Sequence, residues 1–352
     1  MKRASFYRIL KLNQTFDLYR LKLAWVLFSD LVGLRHLVVQ LDPAMVCNLR
    51  CKMCYFGDPE YAKRKRRAKT TRFSYEELVT LSNIFFPKAL ALNIGAAGEP
   101  TMYKNIANVV QLAHKHKVPT VSLTTNGQAL TPDQVKDLVK YGLDEIILSV
   151  HGVKKETYEH FMAPAKFDKL LDLLRLLMNE KIAANSVTPH IRINYTVNTE
   201  NLYELESFFD VFGEYDFDSL QIRPVVEIKN APYKWQNISN HLTQYHKILD
   251  TLTDKCAQKN VRLIATRNDP TLKNTKRKSN TKSFLLDAML RTIKPGVIWK
   301  KDFDWENESY RDYLSRIKFR KFLLRGMFLN KRSFTRDFGD KENIYLTYEV
   351  LD

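Results

Sequence analysis

From His36 onward the chain alternates between stretches that read as strands and stretches that read as helices, and this limits the fold more than any other feature. Apolar or β-branched runs predict strands at residues 36–41, 90–94, 120–123, 145–150, 191–197, 220–225 and 261–265. Between them, apolar residues at helical spacing predict helices at 75–86, 105–116, 132–141, 167–178, 202–212 and 242–257. Ser74 is placed to cap the first of these, and Pro132 opens another. Strands joined by helical crossovers pair in parallel. The expected class is therefore α/β, a partial (β/α)6 TIM-like barrel over residues 36–265. Residues 1–35 form an amphipathic helical extension in this reading, and residues 266–352 a basic, α-rich one, with a helical stretch at 284–291 and a Tyr-containing end at 345–348. In barrels of this kind, chemistry sits on the loops at the carboxyl ends of the strands. Distinctive polar residues should follow the strands.

The first strand is followed by Asp42-Pro43-Ala44-Met45-Val46 and then by Cys47-Asn48-Leu49-Arg50-Cys51-Lys52-Met53-Cys54. Three of the chain's four cysteines thus fall within eight residues, whereas a disulfide framework would spread them in pairs. Clustered thiols point to metal ligation in a reducing compartment. A loop this short can place three thiolates round one cubane cluster and leave its fourth iron open, as a catalytic centre requires. Zinc would call for further Cys or His ligands at short spacing, and an electron-transfer ferredoxin for a fourth cysteine nearby. Only Cys256 remains, about 200 residues on, and its helical setting suits a buried core thiol.

This CxxxCxxC motif after the first strand of an α/β barrel resembles the radical SAM superfamily, in particular the branch of molybdenum-cofactor biosynthesis and peptide-modifying enzymes. The resemblance covers roughly residues 36–230. It implies that Cys47, Cys51 and Cys54 are the metal ligands and catalytic residues of a [4Fe–4S] cluster. The open iron would take the amino and carboxylate groups of S-adenosylmethionine (SAM). One electron from an external donor of flavodoxin or ferredoxin type would give methionine and a 5′-deoxyadenosyl radical that removes a substrate hydrogen.

The other strand ends extend the likeness. Gly95-Ala96-Ala97-Gly98-Glu99-Pro100 resembles the family's Gly-Gly-Glu-Pro loop, with Ala97 in place of the first glycine, and implies a contact with the SAM ammonium. Thr124-Thr125-Asn126-Gly127 matches Thr-Asn-Gly; Asn126-Gly127 makes a turn, with Thr124 or Thr125 facing the site. Ser149-Val150-His151-Gly152 resembles Ser-x-Asp-Gly, with His151 where aspartate is frequent. His151 suits a proton carrier or a structural hydrogen bond equally. Many relatives carry an arginine soon after, and residues 157–161 have none. On the fifth strand Arg192, Asn194 and Thr196 alternate with Ile193 and Tyr195, which predicts one polar face lining a cavity, and Arg223 ends the sixth. The candidate cofactor-binding residues are Ala97, Gly98, Glu99, Thr124, Thr125, Asn126, Ser149, His151, Asn194 and Arg223.

Within this chain, one further cysteine disfavours an auxiliary cluster, sulfur insertion and a two-cysteine route to RNA methylation. Rearrangement, epimerisation, dehydrogenation, coupling and adenosylation remain. The net charge of +17 gathers in residues 63–72, 273–282 and 316–332, the last interleaved with large apolar side chains. Such blocks attract phosphates, nucleic acids or anionic lipid head groups, or are solvated faces. No RNA-binding module accompanies them, so nucleic acid is not the expected partner. The expectation is a cytoplasmic enzyme, peripheral at the inner membrane face, acting on an anionic or lipid-linked substrate. The alternatives are a nucleic-acid-modifying member of the superfamily and a non-catalytic iron–sulfur protein.

Overall fold

The computed structural model describes residues 19–68, 70–225, 228, 230–234, 236, 238–267, 288–300, 302–328 and 349–351. The expectations for residues 1–18, 273–282, 284–287 and 345–348 lie outside the described residues, as do Lys331 and Arg332.

The elements run α1 (Tyr19–Val32), β1 (Leu37–Leu41), α2 (Pro59–Arg67), α3 (Tyr75–Phe85), β2 (Ala89–Ile94), α4 (Ile106–Lys115) and β3 (Val121–Thr125). They continue through α5 (Pro132–Lys140), β4 (Glu145–Val150), α6 (Lys155–Phe161), α7 (Phe167–Ala183), β5 (His190–Val197), α8 (Phe208–Phe212), β6 (Ser219–Pro224), α9 (Leu242–Gln258) and β7 (Arg262–Ala265). Then come β8 (Leu290–Lys294), β9 (Val297–Ile298), α10 (Tyr310–Arg316), α11 (Phe319–Phe328) and β10 (Glu349–Leu351). Local chemistry sets the helix starts. Ser74 and Glu77 form a reciprocal capping box at α3, and Thr131 and Gln134 form another at α5, where Pro132 fills a position whose N–H needs no partner.

The strands form one sheet in the order β10-β7-β6-β5-β4-β3-β2-β1-β8-β9. Neighbours from β7 to β8 are parallel, while β9 and β10 pair antiparallel at the two edges. Among the described residues no pairing joins the edges, so the sheet curls into a partial barrel. The alternation of the sequence thus becomes the expected parallel sheet.

The region after residue 265 enters that sheet at both edges, through β8 beside β1 and β10 beside β7. Leu290 and Arg291, expected in a helix, lie in β8 instead. Pairing with Val38 and Val39 of β1 overrides their local preference. Arg291 is fully buried there, its guanidinium 3.8 Å from the Trp299 ring centroid and its Nε donating to the Tyr310 hydroxyl at 2.9 Å. The basic run at 63–67 is helical, part of α2, with Asp58 capping its start.

Every central strand buries alternate residues outward under the helices. Val39 and Leu41, Leu92 and Ile94, Val121 and Leu123, Ile146 and Leu148, and Ile191, Ile193, Tyr195 and Val197 are all essentially without exposure. Each such side chain stabilises the fold by about 1.5–3 kcal/mol relative to an exposed one.

Candidate active site

The intervening residues of the same strands face inward and line a cavity of about 1060 Å³. They include Gln40, Asn93, Ser122, Thr124, Glu145, Ser149, Arg192, Asn194, Thr196 and Gln221. Polar side chains thus hold many inward strand positions, alongside Val38, Ala91, Ile147 and Ile264, unlike the aliphatic layers that fill a closed eight-stranded barrel. Glu145 and Arg192 meet there at 2.7 Å, and Arg192 also donates to Gln221 at 3.1 Å. At the carboxyl ends of the strands the walls are completed by Cys47, Cys51, Cys54, Ala97, Gly98, Glu99, Thr125, Asn126, His151 and Arg223. All the site residues expected from the sequence border this one cavity.

The cysteine loop is fastened on several sides by backbone hydrogen bonds. Met45 N–H donates to Thr71, Glu99 N–H to Val46, Arg50 N–H to Ala163, Lys52 N–H to Phe161 and Tyr233 N–H to Lys52. Leu49 N–H points at Cys47 Sγ at 3.4 Å, and Phe56 N–H at Cys54 Sγ at 3.5 Å. Burial pushes the Cys47 thiol up to about 12 and raises those of Cys51 and Cys54 as well. Thiolates in this setting need a positive partner to balance them. Among the described residues, no three His, Cys, Asp or Glu side chains converge as a single metal ion requires. Cys47, Cys51 and Cys54 all border the one cavity, and three thiols are a donor set of the kind that holds an iron–sulfur cluster.

The second-strand loop is built on two carboxylates. Asp42, 1% exposed, accepts N–H bonds at Oδ1 from Ala96 and Ala97 at 2.8 Å and from Gly98 at 3.3 Å. This residue bends the loop over the cysteines, and sequence reasoning gave it no role. The available signal was an aspartate at a strand end beside an apolar run. Glu99, 4% exposed, accepts from Thr101 N–H and Oγ1 and from Thr125 Oγ1 at Oε1, and from Asn126 N–H at Oε2. Burial raises its pKa, and these four donors oppose that shift by favouring the carboxylate. Glu99 thus ties the loop after β2 to the loop after β3.

Position 98 has no room for a side chain: a Cβ there would meet the Ala44 carbonyl oxygen at 2.3 Å. The alanine at 97 is compatible with this loop, and the Tyr55 hydroxyl donates to its carbonyl.

Gly127 takes a left-handed φ of 74°, as the expected turn requires. The Thr125 hydroxyl is engaged by Glu99, so Thr124 is the threonine left facing the cavity. Asn126 Nδ2 donates to Asn48 Oδ1 at 2.9 Å and lies 4.0 Å from Cys47 Sγ. Ser149 and Asn194 are register partners on β4 and β5. Asn194 Oδ1 and His151 Nδ1 are buried without a hydrogen-bond partner. Burial, with Arg223 nearby, lowers the His151 imidazole to about 4, so it is neutral at physiological pH. Cys256 is 1% exposed on α9, packed in the core away from this cavity.

Comparison with known proteins meets this geometry. The family model described as "Radical SAM superfamily" matches residues 43–209, from the start of the cysteine loop to the first turn of α8. Over residues 43–209 the chain carries a radical SAM domain.

Two curated relatives are a "Probable GTP 3',8-cyclase" of Thermoplasma volcanium and a molybdenum cofactor biosynthesis protein of Caenorhabditis elegans. The first is 23% identical over 66% of this chain and 66% of its own length. The second is 24% identical over 69% of this chain and 38% of its own. The match therefore spans less than two thirds of either relative. Among solved structures, Streptococcus suis SuiB bound to its precursor peptide SuiA superposes with a TM-score of 0.58 at 16% identity, covering 89% of this chain and 70% of that one. SuiB bound to S-adenosylmethionine gives 0.55 at 16%, covering 75% and 60%. These likenesses establish a shared partial-barrel fold.

Proposed function

We propose that this chain is a radical SAM enzyme that abstracts hydrogen from an anionic substrate held in the barrel. The observation that carries the reading is the single cavity bordered by three thiols, two orphaned polar atoms and the three expected strand-end loops. Cys47, Cys51 and Cys54 would hold a [4Fe–4S] cluster. When bound and reduced by an external one-electron donor, the cluster supplies the electron that splits SAM into methionine and a 5′-deoxyadenosyl radical.

The chain's own residues divide the remaining work. Asp42 and Glu99 fix the loops on which SAM would rest. The carbonyls of Ala97 and Gly98, and Glu99 Oε2, which among the described residues accepts only the Asn126 N–H, suit its ammonium. Thr124, Ser149, Asn194 Oδ1 and His151 Nδ1 suit the ribose hydroxyls and the carboxylate, and Asn126 holds the Cys47 loop in place. Arg223 lies at the mouth, where a carboxylate or phosphate of SAM or substrate would approach. Anionic substrate is favoured by α2: its Arg64 and Lys65 lie over the Tyr61 ring, which packs on the cavity residues Tyr55 and Phe56. Lys65 is lowered first by burial, then by Lys294 and Arg64, a sign of concentrated positive potential at this rim.

The test is anaerobic. Protein reconstituted with iron and sulfide, reduced and given SAM should release 5′-deoxyadenosine, and Cys51→Ala should not. An intact cluster that yields none in the parent chain would reject the enzymatic reading.

A further inference from the structure

Large apolar side chains are exposed mainly in one place. Of thirteen with substantial exposure among the described residues, eight belong to α1, the turn after it and α11: Leu21, Trp25, Phe28, Leu31, Val32, Leu34, Leu324 and Phe328. The two helices pack together, and Asp30 near the end of α1 pairs with Arg320 at the start of α11 at 2.9 Å. On α1, Leu21, Trp25, Phe28 and Val32 follow the i, i+4, i+7, i+11 spacing of a single face. Leu23 and Val26 face the other way and are fully buried. The helix is thus apolar on two sides, and packing within the fold accounts for one. Trp25 and Phe28 stand side by side with ring centroids 6.0 Å apart, 48% and 51% exposed. On α11, Leu324 and Phe328 share the exposed face with Lys321 and Arg325, and Phe328 is 80% exposed.

Among the described residues of the two helices, the charge is almost all of one sign. Arg20, Lys22, Lys318, Lys321 and Arg325 flank the apolar stripe, and Asp30, the one acidic residue of the two helices, is already paired with Arg320. Monomeric proteins rarely leave a contiguous apolar patch of this kind without a partner for it. No helix among the described residues is long and apolar enough to cross a bilayer. We propose that the α1–α11 face docks on an anionic membrane surface, with Trp25, Phe28, Leu324 and Phe328 entering the head-group boundary and the lysines and arginines meeting lipid phosphates. Aromatic and aliphatic side chains beside lysine and arginine are the composition that binds such an interface. A protein partner or a second copy would need acidic groups opposite this basic rim, and among its described residues the face supplies only Asp30, which is paired with Arg320. The inference stands apart from the SAM chemistry, because no residue of the face borders the cavity.

The experiment is flotation of the full chain with phosphatidylcholine vesicles, with and without phosphatidylglycerol. The parent protein should float with the anionic vesicles, and added salt should weaken the binding. The triple variant Trp25→Ser, Phe28→Ser, Phe328→Ser should bind about tenfold more weakly or worse, as loss of that much inserted apolar surface requires. Lys321→Glu with Arg325→Glu should also lose binding, and circular dichroism should match the parent for both. Trp25 emission should shift blue on adding anionic vesicles. The proposal fails if the parent ignores anionic vesicles or if the triple variant binds as the parent does. It fails equally if vesicle-free protein sediments as a dimer that the triple variant dissolves, or if residues 1–18 already shield Trp25 from aqueous quencher.

Discussion

The two faces of the barrel strands are made by the same peptide and do opposite things. On β5, Ile191, Ile193, Tyr195 and Val197 point outward and are buried under helices, while Arg192, Asn194 and Thr196 point inward and line the cavity. On β4, Ile146, Leu148 and Val150 alternate in the same way with Glu145, Ile147 and Ser149. The outward set is a close-packed aliphatic layer whose loss leaves a void. The inward set lines a cavity with polar side chains, and Asn194 Oδ1 on β5 and His151 Nδ1 just beyond β4 are buried without hydrogen-bond partners. A buried polar group left unsatisfied costs about 1–3 kcal/mol, so the inward face sacrifices stability that the outward face supplies. Folding and ligand handling are thus separated residue by residue along each strand.

Substitutions should respect that separation. Ile193→Ala should have the largest effect on stability, about 4 kcal/mol, read from the urea midpoint. A loss below about 1 kcal/mol would mean that the outward layer is loosely packed. Glu145→Ala should cost about 3 kcal/mol, because it removes the carboxylate that balances the Arg192 guanidinium in the interior. Double substitution with Arg192→Met should recover much of that loss.

His151 gives a pH signature. Its imidazole is held at about 4 against an ordinary 6.5, so the unfolded chain binds that proton first as pH falls. Stability should be complete above about 6.5 and fall by about 2–3 kcal/mol towards pH 4, and His151→Asn should flatten that slope. An unchanged slope would show the ring to be solvated. The smallest stability effect should come from Asn194→Ala, under about 1 kcal/mol, since it removes an oxygen without a partner. The same change should weaken SAM binding at least about fivefold by equilibrium dialysis, the loss of about one hydrogen bond. Equal losses in stability at residues 193 and 194 would abolish the contrast between the faces.

Much of this was legible in the sequence because it is periodic or local. Alternation of strand and helix fixed the parallel sheet, and period-two patterning on residues 191–197 announced the polar inner face. The cysteine spacing, Gly98-Glu99-Pro100 and Asn126-Gly127 are contiguous, and all fall on strand ends around one cavity. What was not legible is long-range. Asp42 holds N–H groups 54 to 56 residues away, and Glu99 holds Asn126 27 residues on. Leu290 and Arg291 read as helix because nothing local reveals that β1 is waiting to pair with them. The buried Arg291 needs Trp299 and Tyr310 around it, which only the fold assembles.

The most direct measurement is the EPR spectrum of the reconstituted, reduced protein titrated with SAM. If the inward face is a cofactor site, the reduced-cluster signal shifts on adding SAM, and it does so at higher SAM concentration in Asn194→Ala and not at all in Gly98→Val. A cluster signal that is identical with and without SAM in the parent chain would contradict the assignment of this cavity.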